Sequence, residues 1–324
     1  MAVLSGRMPL CRTKRMKAAI KPKQIMRNFA EKERMCEASF ASGRPYWHAY
    51  TNGKDTPLIF ARDEDFALAM NVIAQAAAAF PEVKIISFEV MDNHFHFVLA
   101  CSEADIQAFW RFIRKRLSRT FKQMSDMPLQ LKPIEDLQSL RSNIVYVHRN
   151  GYVVNPDSTP FSYRWGTGRY YFLDAPEGTP LSDIFYDERR KMFRTRTPDL
   201  PLEWNVQNGY VLPSEYCIIK FGMAMFRDAH HYFNQLCKNV EAYSGIAVEL
   251  DDGEFLTDPE LYAQISKILK PAYGIDKISA LTKAQKLDLA KKLHYDYRSS
   301  NGQIRRLLGL SAYDVDSLFP LRKG

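Results

Sequence analysis

Two histidines one residue apart, in His94-Phe95-His96, stand in an alternating run that reads as a β-strand over 94–101. Alternate side chains of a strand leave on one face. His94 and His96 therefore share a face, while Phe95, Phe97 and Leu99 take the other. Their Cα atoms lie about 7 Å apart in such a strand, close enough for both imidazoles to meet one divalent ion. The same pair is also compatible with surface or hydrogen-bonded histidines. Further along, Tyr146 sits in a helical stretch, 135–150, whose apolar stripe is Leu137, Leu140, Ile144 and Val147. At about 100° per residue, Tyr146 lies about 140° from the centre of that stripe. Asn150 stands beside it one turn on, with Ser139 and Asn143 close by. A phenol and a carboxamide are thus offered together from one polar helix face, which is also what an ordinary exposed helix face would show.

The charge points to a polyanion. Lys+Arg number 45 and Asp+Glu 37, for a net +8. Residues 1–40 carry ten basic and three acidic side chains, so nearly all the excess is N-terminal. Arg12, Lys14, Arg15 and Lys17 belong to an acid-free basic run there, suited to nucleic acid or simply to solvent. A second stripe, Arg111, Arg114, Lys115, Arg119 and Lys122, lies on an amphipathic helix expected over 103–124, and no acid interrupts 111–122. Such a stripe can track a phosphate backbone.

The elements that must position these groups can be read in outline. A strand over 45–51 ends at Asn52-Gly53, a helix spans 63–80 before Pro81, and strands at 83–91 and 94–101 flank the Asp92-Asn93 turn. The 103–124 helix and the 135–150 helix follow, the latter with Gly151 as its expected C-terminal cap. The order strand, helix, strand, strand, helix predicts an α+β sandwich of ferredoxin-like type. Four regions are expected: a basic arm over 1–42, with room for one helix at 23–39, a catalytic domain over 43–168, a connecting and helical region over 169–275, and a C-terminal module over 276–324. The connecting part, 174–215, shows few clear periods, and helices are read at 215–245 and 258–270. The end reads as three short helices over 281–320. There, Gln303–Gly309 and Ser311 have the look of a helix-turn-helix, although Asp314 and Asp316 are poor residues to turn toward phosphates.

These motifs, in order, resemble a family. Met91-Asp92-Asn93-His94-Phe95-His96-Phe97-Val98 resembles the Met-Pro-Asn-His-x-His strand of the single-tyrosine HUH transposases. Asn143-Ile144-Val145-Tyr146-Val147-His148-Arg149-Asn150 resembles their Tyr-Ile-x-x-Asn-Pro helix. The REP-associated tyrosine transposases are the branch most similar, over about residues 43–168. Asp92 and Gly151 stand where that family usually has proline.

The resemblance implies cleavage and rejoining of single-stranded or hairpin DNA. His94 and His96 would bind Mg²⁺ or Mn²⁺, with Asn150 as third ligand and Glu89 or Asp92 as lesser oxygen candidates. Tyr146 would attack the phosphorus to leave a 5′-phosphotyrosine. Rival readings are a non-catalytic, domesticated DNA-binding relative and a metal-dependent phosphodiesterase that uses water. A homodimer is left open.

Other residues read as bland. His48 lies in an aromatic strand and reads as structural. His230 and His231 are adjacent on a helix and cannot converge on one ion. Tyr152, Tyr163, Tyr170 and Tyr171 lack an asparagine four residues on. Five cysteines without a Cys-x-x-Cys pair argue against a disulfide framework or zinc knuckle. No run of apolar residues is long enough for a membrane span, and no apolar block of signal-peptide length opens the chain, so a cytoplasmic protein is expected.

Overall fold

The computed structural model describes residues 45–53, 56–153, 161–195, 200–238, 246, 250, 256–297 and 299–320. The arm carrying Arg12, Lys14, Arg15 and Lys17, and the helix expected at 23–39, lie outside these residues.

Six elements build a four-stranded antiparallel sheet with two helices: β1 (Tyr46–Tyr50), α1 (Asp63–Ala79), β2 (Lys84–Val90), β3 (Phe95–Ala100), α2 (Glu103–Leu117) and β4 (Gln130–Ile134). The strand order is β2-β3-β1-β4, with every neighbouring pair antiparallel. The architecture is therefore α+β. α1 forms because its sequence is rich in alanine and opens on Asp63, Glu64 and Asp65, which suit a helix N-terminus. Its alanines let it lie close to its neighbours. α1 and α2 cover one face of the sheet, where Phe95 meets Trp110 at 5.5 Å and Phe97 meets Phe109 at 6.0 Å between ring centroids. α3 (Leu137–Val153) lies on the opposite face.

Several sequence expectations change here. β4 is absent from the sequence reading, because Gln130, Lys132 and Pro133 break an apolar pattern. It forms at the sheet edge, where a residue without an N–H is tolerated. The basic helix stops at Leu117 rather than 124. A turn and a short 3₁₀ segment at Lys122–Met124 then tuck Phe121 and Met124 into the core, so the apolar stripe outlasts the helix. α3 does not end at Gly151 but runs through it to Val153. Gly151 is needed for space instead: a Cβ there would sit 2.2 Å from the Tyr163 ring.

The region beyond the sheet is also more ordered than its sequence suggests. β5 (Thr179–Pro180), β6 (Asn205–Gln207) and β7 (Tyr210–Val211) form a small sheet, and α4 (Tyr186–Phe193) lies between β5 and β6 in the chain. Leu181, Phe193, Val206 and Val211 pack with Ala74 of α1. Buried Asn71 locks this unit to α1, donating to the Gly209 carbonyl at 2.8 Å and accepting from the Val211 N–H at 3.0 Å.

The helix expected over 215–245 is broken into α5 (Ile219–Ala224) and α6 (Ala229–Lys238). Asp228 accepts the His231 N–H at 2.7 Å and so caps the second piece. α7 (Asp258–Tyr273) follows, then the three expected terminal helices, α8 (Lys283–Asp296), α9 (Asn301–Leu308) and α10 (Ala312–Leu318). Gly309 takes φ 61° after α9, and Ser311 caps α10. Asp314 pairs with Lys283 at 2.8 Å and Asp316 accepts from Asn301 at 2.9 Å, so both acids serve packing between helices. Among the described residues no helix is long and apolar enough to cross a membrane.

Candidate active site

The site grows from strand register. Tyr50 and Glu89 are the cross-strand partners of His96, and Val98 is that of His48. Cross-strand partners share a face, so His48, Tyr50, Glu89 and His96 all lie on the side covered by α3. The His94 ring stands edge-on to His96 with centroids 4.9 Å apart. Tyr146 reaches down from α3, its ring centroid 5.9 Å from that of His96 and 6.0 Å from that of His48. Tyr50 stacks on His96 at 6.2 Å. The structure thus gathers three sequence-predicted residues, His94, His96 and Tyr146, in one place.

Hydrogen bonds hold the imidazoles. His94 Nδ1 lies 2.7 Å from Asn93 Oδ1, and Asn93 Nδ2 donates to the carbonyls of Gly53 and Thr56. Gly53 must be glycine for that approach, since a Cβ would fall 2.5 Å from His94 Nδ1. On β1, His48 bridges His96 and α3. Its Nε2 is 3.0 Å from His96 Nδ1 and its Nδ1 is 2.6 Å from Asn143 Oδ1. His48 therefore belongs to the cluster rather than to a separate structural role. The signal for it was the alternation of Tyr46, His48 and Tyr50, which puts three hydrogen-bonding aromatic side chains on one strand face.

Tyr146 is not on an exposed helix face. It is 1% exposed, and every residue from 143 to 150 is buried. The sheet covers one side of α3, and α6 and α7 cover another. Arg141 donates to the Met225 carbonyl at 2.6 Å. His148 lies 2.8 Å from the Tyr232 hydroxyl and 2.9 Å from that of Thr167, and burial lowers its pKa to about 3. Arg149 donates to the Leu236 carbonyl and pairs with Glu260 at 2.6 Å.

The remaining ligand candidates are placed differently. Asn150 is buried one turn beyond Tyr146, and its Nδ2 has no hydrogen-bond partner among the described residues. A half-turn of the amide exchanges Nδ2 and Oδ1, so that position suits either a donor to a phosphate oxygen or an oxygen for a cation. Glu89 accepts the Gly151 N–H at 2.7 Å. Burial pushes its carboxyl well above the usual range, against that hydrogen bond. Asp92 lies exposed in the turn, where its carbonyl receives the N–H groups of Ile59 and Phe60.

Among the described residues, no group of three or more His, Cys, Asp and Glu side chains is arranged to hold a metal. The two adjacent imidazoles of His94 and His96 are close enough to meet one divalent ion, and Asn150 offers a buried amide one helical turn beyond Tyr146.

The basic stripe is not at this site. α2 packs on the face of the sheet away from Tyr146. Arg111 and Lys115 are exposed on α2 and Arg114 is half-buried; Arg119 and Lys122 are exposed in the turn and 3₁₀ segment that follow.

No protein-family model matches this chain, and neither a curated protein nor a solved structure does.

Proposed function

We propose that the protein is a metal-dependent DNA strand transferase of the single-tyrosine HUH type, acting on single-stranded or hairpin DNA. The observation that carries the reading is Tyr146 lying edge-on to His96, with His94 beside it, on one face of the sheet. The βαββαβ order and β2-β3-β1-β4 arrangement support a ferredoxin-like core of the kind such enzymes use.

In this reading His94 and His96 hold Mg²⁺ or Mn²⁺, with Asn150 completing the protein ligands. The bound ion supplies positive charge that polarises the scissile phosphate. Tyr146 Oη attacks the phosphorus, forming an O–P bond as the bond from phosphorus to the 3′ oxygen breaks. The phenol gives up its proton and the departing 3′ oxygen gains one. Attack by a free 3′-hydroxyl reverses the step and joins strands without a nucleotide cofactor. Because Tyr146 is buried, α3 must lift from the sheet for a strand to enter.

That burial also favours a second reading, a transposase-derived protein that binds DNA without turnover. Incubation of the full chain with Mn²⁺ and labelled hairpin DNAs separates the two. Turnover predicts a covalent protein–DNA band whose peptide, 142–149, carries the phosphotyrosine. Intact DNA that is bound but never attached favours the second reading.

A further inference from the structure

We infer that the fold holds both His94 and His96 in the Nδ1–H tautomer, so that Nε2 is the lone-pair atom of each ring. This rests on the metal-binding part of the reading above and not on the tyrosine chemistry.

Protons can be counted along two hydrogen-bonded series of side chains. Asn93 Nδ2 donates to two carbonyls, Gly53 at 2.8 Å and Thr56 at 2.7 Å. Carbonyl oxygens only accept, so the amide is locked with Oδ1 toward His94. Oδ1 also only accepts, and His94 Nδ1 at 2.7 Å must carry the proton. The second series is longer. Asn143 Nδ2 donates to the Ser139 carbonyl at 2.8 Å, which turns Oδ1 toward His48 Nδ1 at 2.6 Å. His48 Nδ1 therefore carries a proton. A neutral His48 then has its lone pair on Nε2, 3.0 Å from His96 Nδ1, and His96 must be the donor.

Free histidine in water prefers the opposite tautomer. The fold thus selects the form in which Nε2 can bind a metal, and it does so through residues that are not themselves ligands. Orienting partners of this kind set ring direction and ligand basicity. His48, Asn143 and Asn93 are positioning residues in this sense.

The test uses the metal-free full chain labelled with ¹⁵N-histidine, at a pH above the usual histidine range. Long-range ¹H–¹⁵N correlation spectra should show protonated Nδ1 and unprotonated Nε2 for both rings, assigned by loss of signals in His94→Gln and His96→Gln. A protonated Nε2 on either ring overturns the inference. Mn²⁺ affinity is the second readout. His48→Leu should weaken it by about 10–100-fold. His48→Gln, whose side-chain oxygen can accept from His96, should recover most of the loss. Equal affinity in the wild type and both variants also overturns it. A chain with these tautomers and this Mn²⁺ behaviour that forms no DNA adduct would remove the tyrosine reading and leave this inference standing.

Discussion

His148 sits two residues from Tyr146 and is held entirely by the fold. Its ring is fully buried and hydrogen-bonded between Tyr232 and Thr167, and burial lowers its pKa to about 3. The unfolded chain therefore binds this proton more readily than the folded one. Stability is intact above the ordinary histidine pKa of about 6.5 and falls as pH drops from there toward 3. The slope for one proton is at most about 1.4 kcal/mol per pH unit. Glu89, whose pKa is raised by burial, works in the other direction above about pH 4.5. Comparing the wild type with His148→Gln isolates the histidine. Urea unfolding at neutral and mildly acidic pH should show a smaller acid loss in the variant, and an equal loss would contradict the assignment. Ligand roles separate at the same scale. His96→Ala should depress adduct formation most at low Mn²⁺, while Asn150→Ala should be milder because water can replace an amide ligand. Equal losses across a Mn²⁺ titration would contradict that division.

At the scale of elements, α3 is a clamped lever. Its Arg149 guanidinium is nearly inaccessible and paired with Glu260 of α7, which also receives the Thr257 N–H and hydroxyl. Removing one member of a buried pair typically costs about 3–5 kcal/mol, because the other is left uncompensated. Glu260→Gln should therefore lower the thermal midpoint substantially, whereas charge removal at exposed Lys292–Asp296 should change it little. Comparable effects in both would contradict the view that α3 is held from the C-terminal helices. The basic stripe makes a separate prediction. If it holds phosphates, replacing Arg114, Lys115 and Arg119 by alanine should flatten the log–log dependence of single-stranded DNA affinity on salt, by about 0.7 for each phosphate no longer neutralised. An unchanged slope would mark it as a solvated face. Because α2 lies across the sheet from Tyr146, any phosphate held there lies on the far side of the sheet from that residue.

For the molecule as a whole, local pattern carried the reading far and long-range pairing limited it. The apolar run of β2, the alternation in β3, the alanine-rich α1 and the three terminal helices were legible, because each is marked by its own local pattern. β4 was hidden by Pro133 at a sheet edge. Gly151 looked like a helix cap because nothing local reveals that Tyr163 fills the space beside it. His94, His96 and Tyr146 could be picked out by type and spacing. For His48 only its strand face was marked, by the alternation of Tyr46, His48 and Tyr50; its contact with His96 was not, since that depends on β1 pairing with a strand about fifty residues on. Tyr146 looked exposed because α6 and α7, which help bury its helix, come far later in the chain.

The central claim is that Tyr146 supplies the attacking oxygen. It is tested most directly by the yield of covalent adduct from Tyr146→Phe beside the wild type, on one labelled hairpin strand with saturating Mn²⁺. The substitution removes a single oxygen and keeps the ring that packs against His48 and His96. The account predicts an adduct with the wild type, none with the variant, and nearly equal DNA binding by both. An adduct formed by Tyr146→Phe, or none formed by a wild type that binds Mn²⁺ and the hairpin, would contradict it.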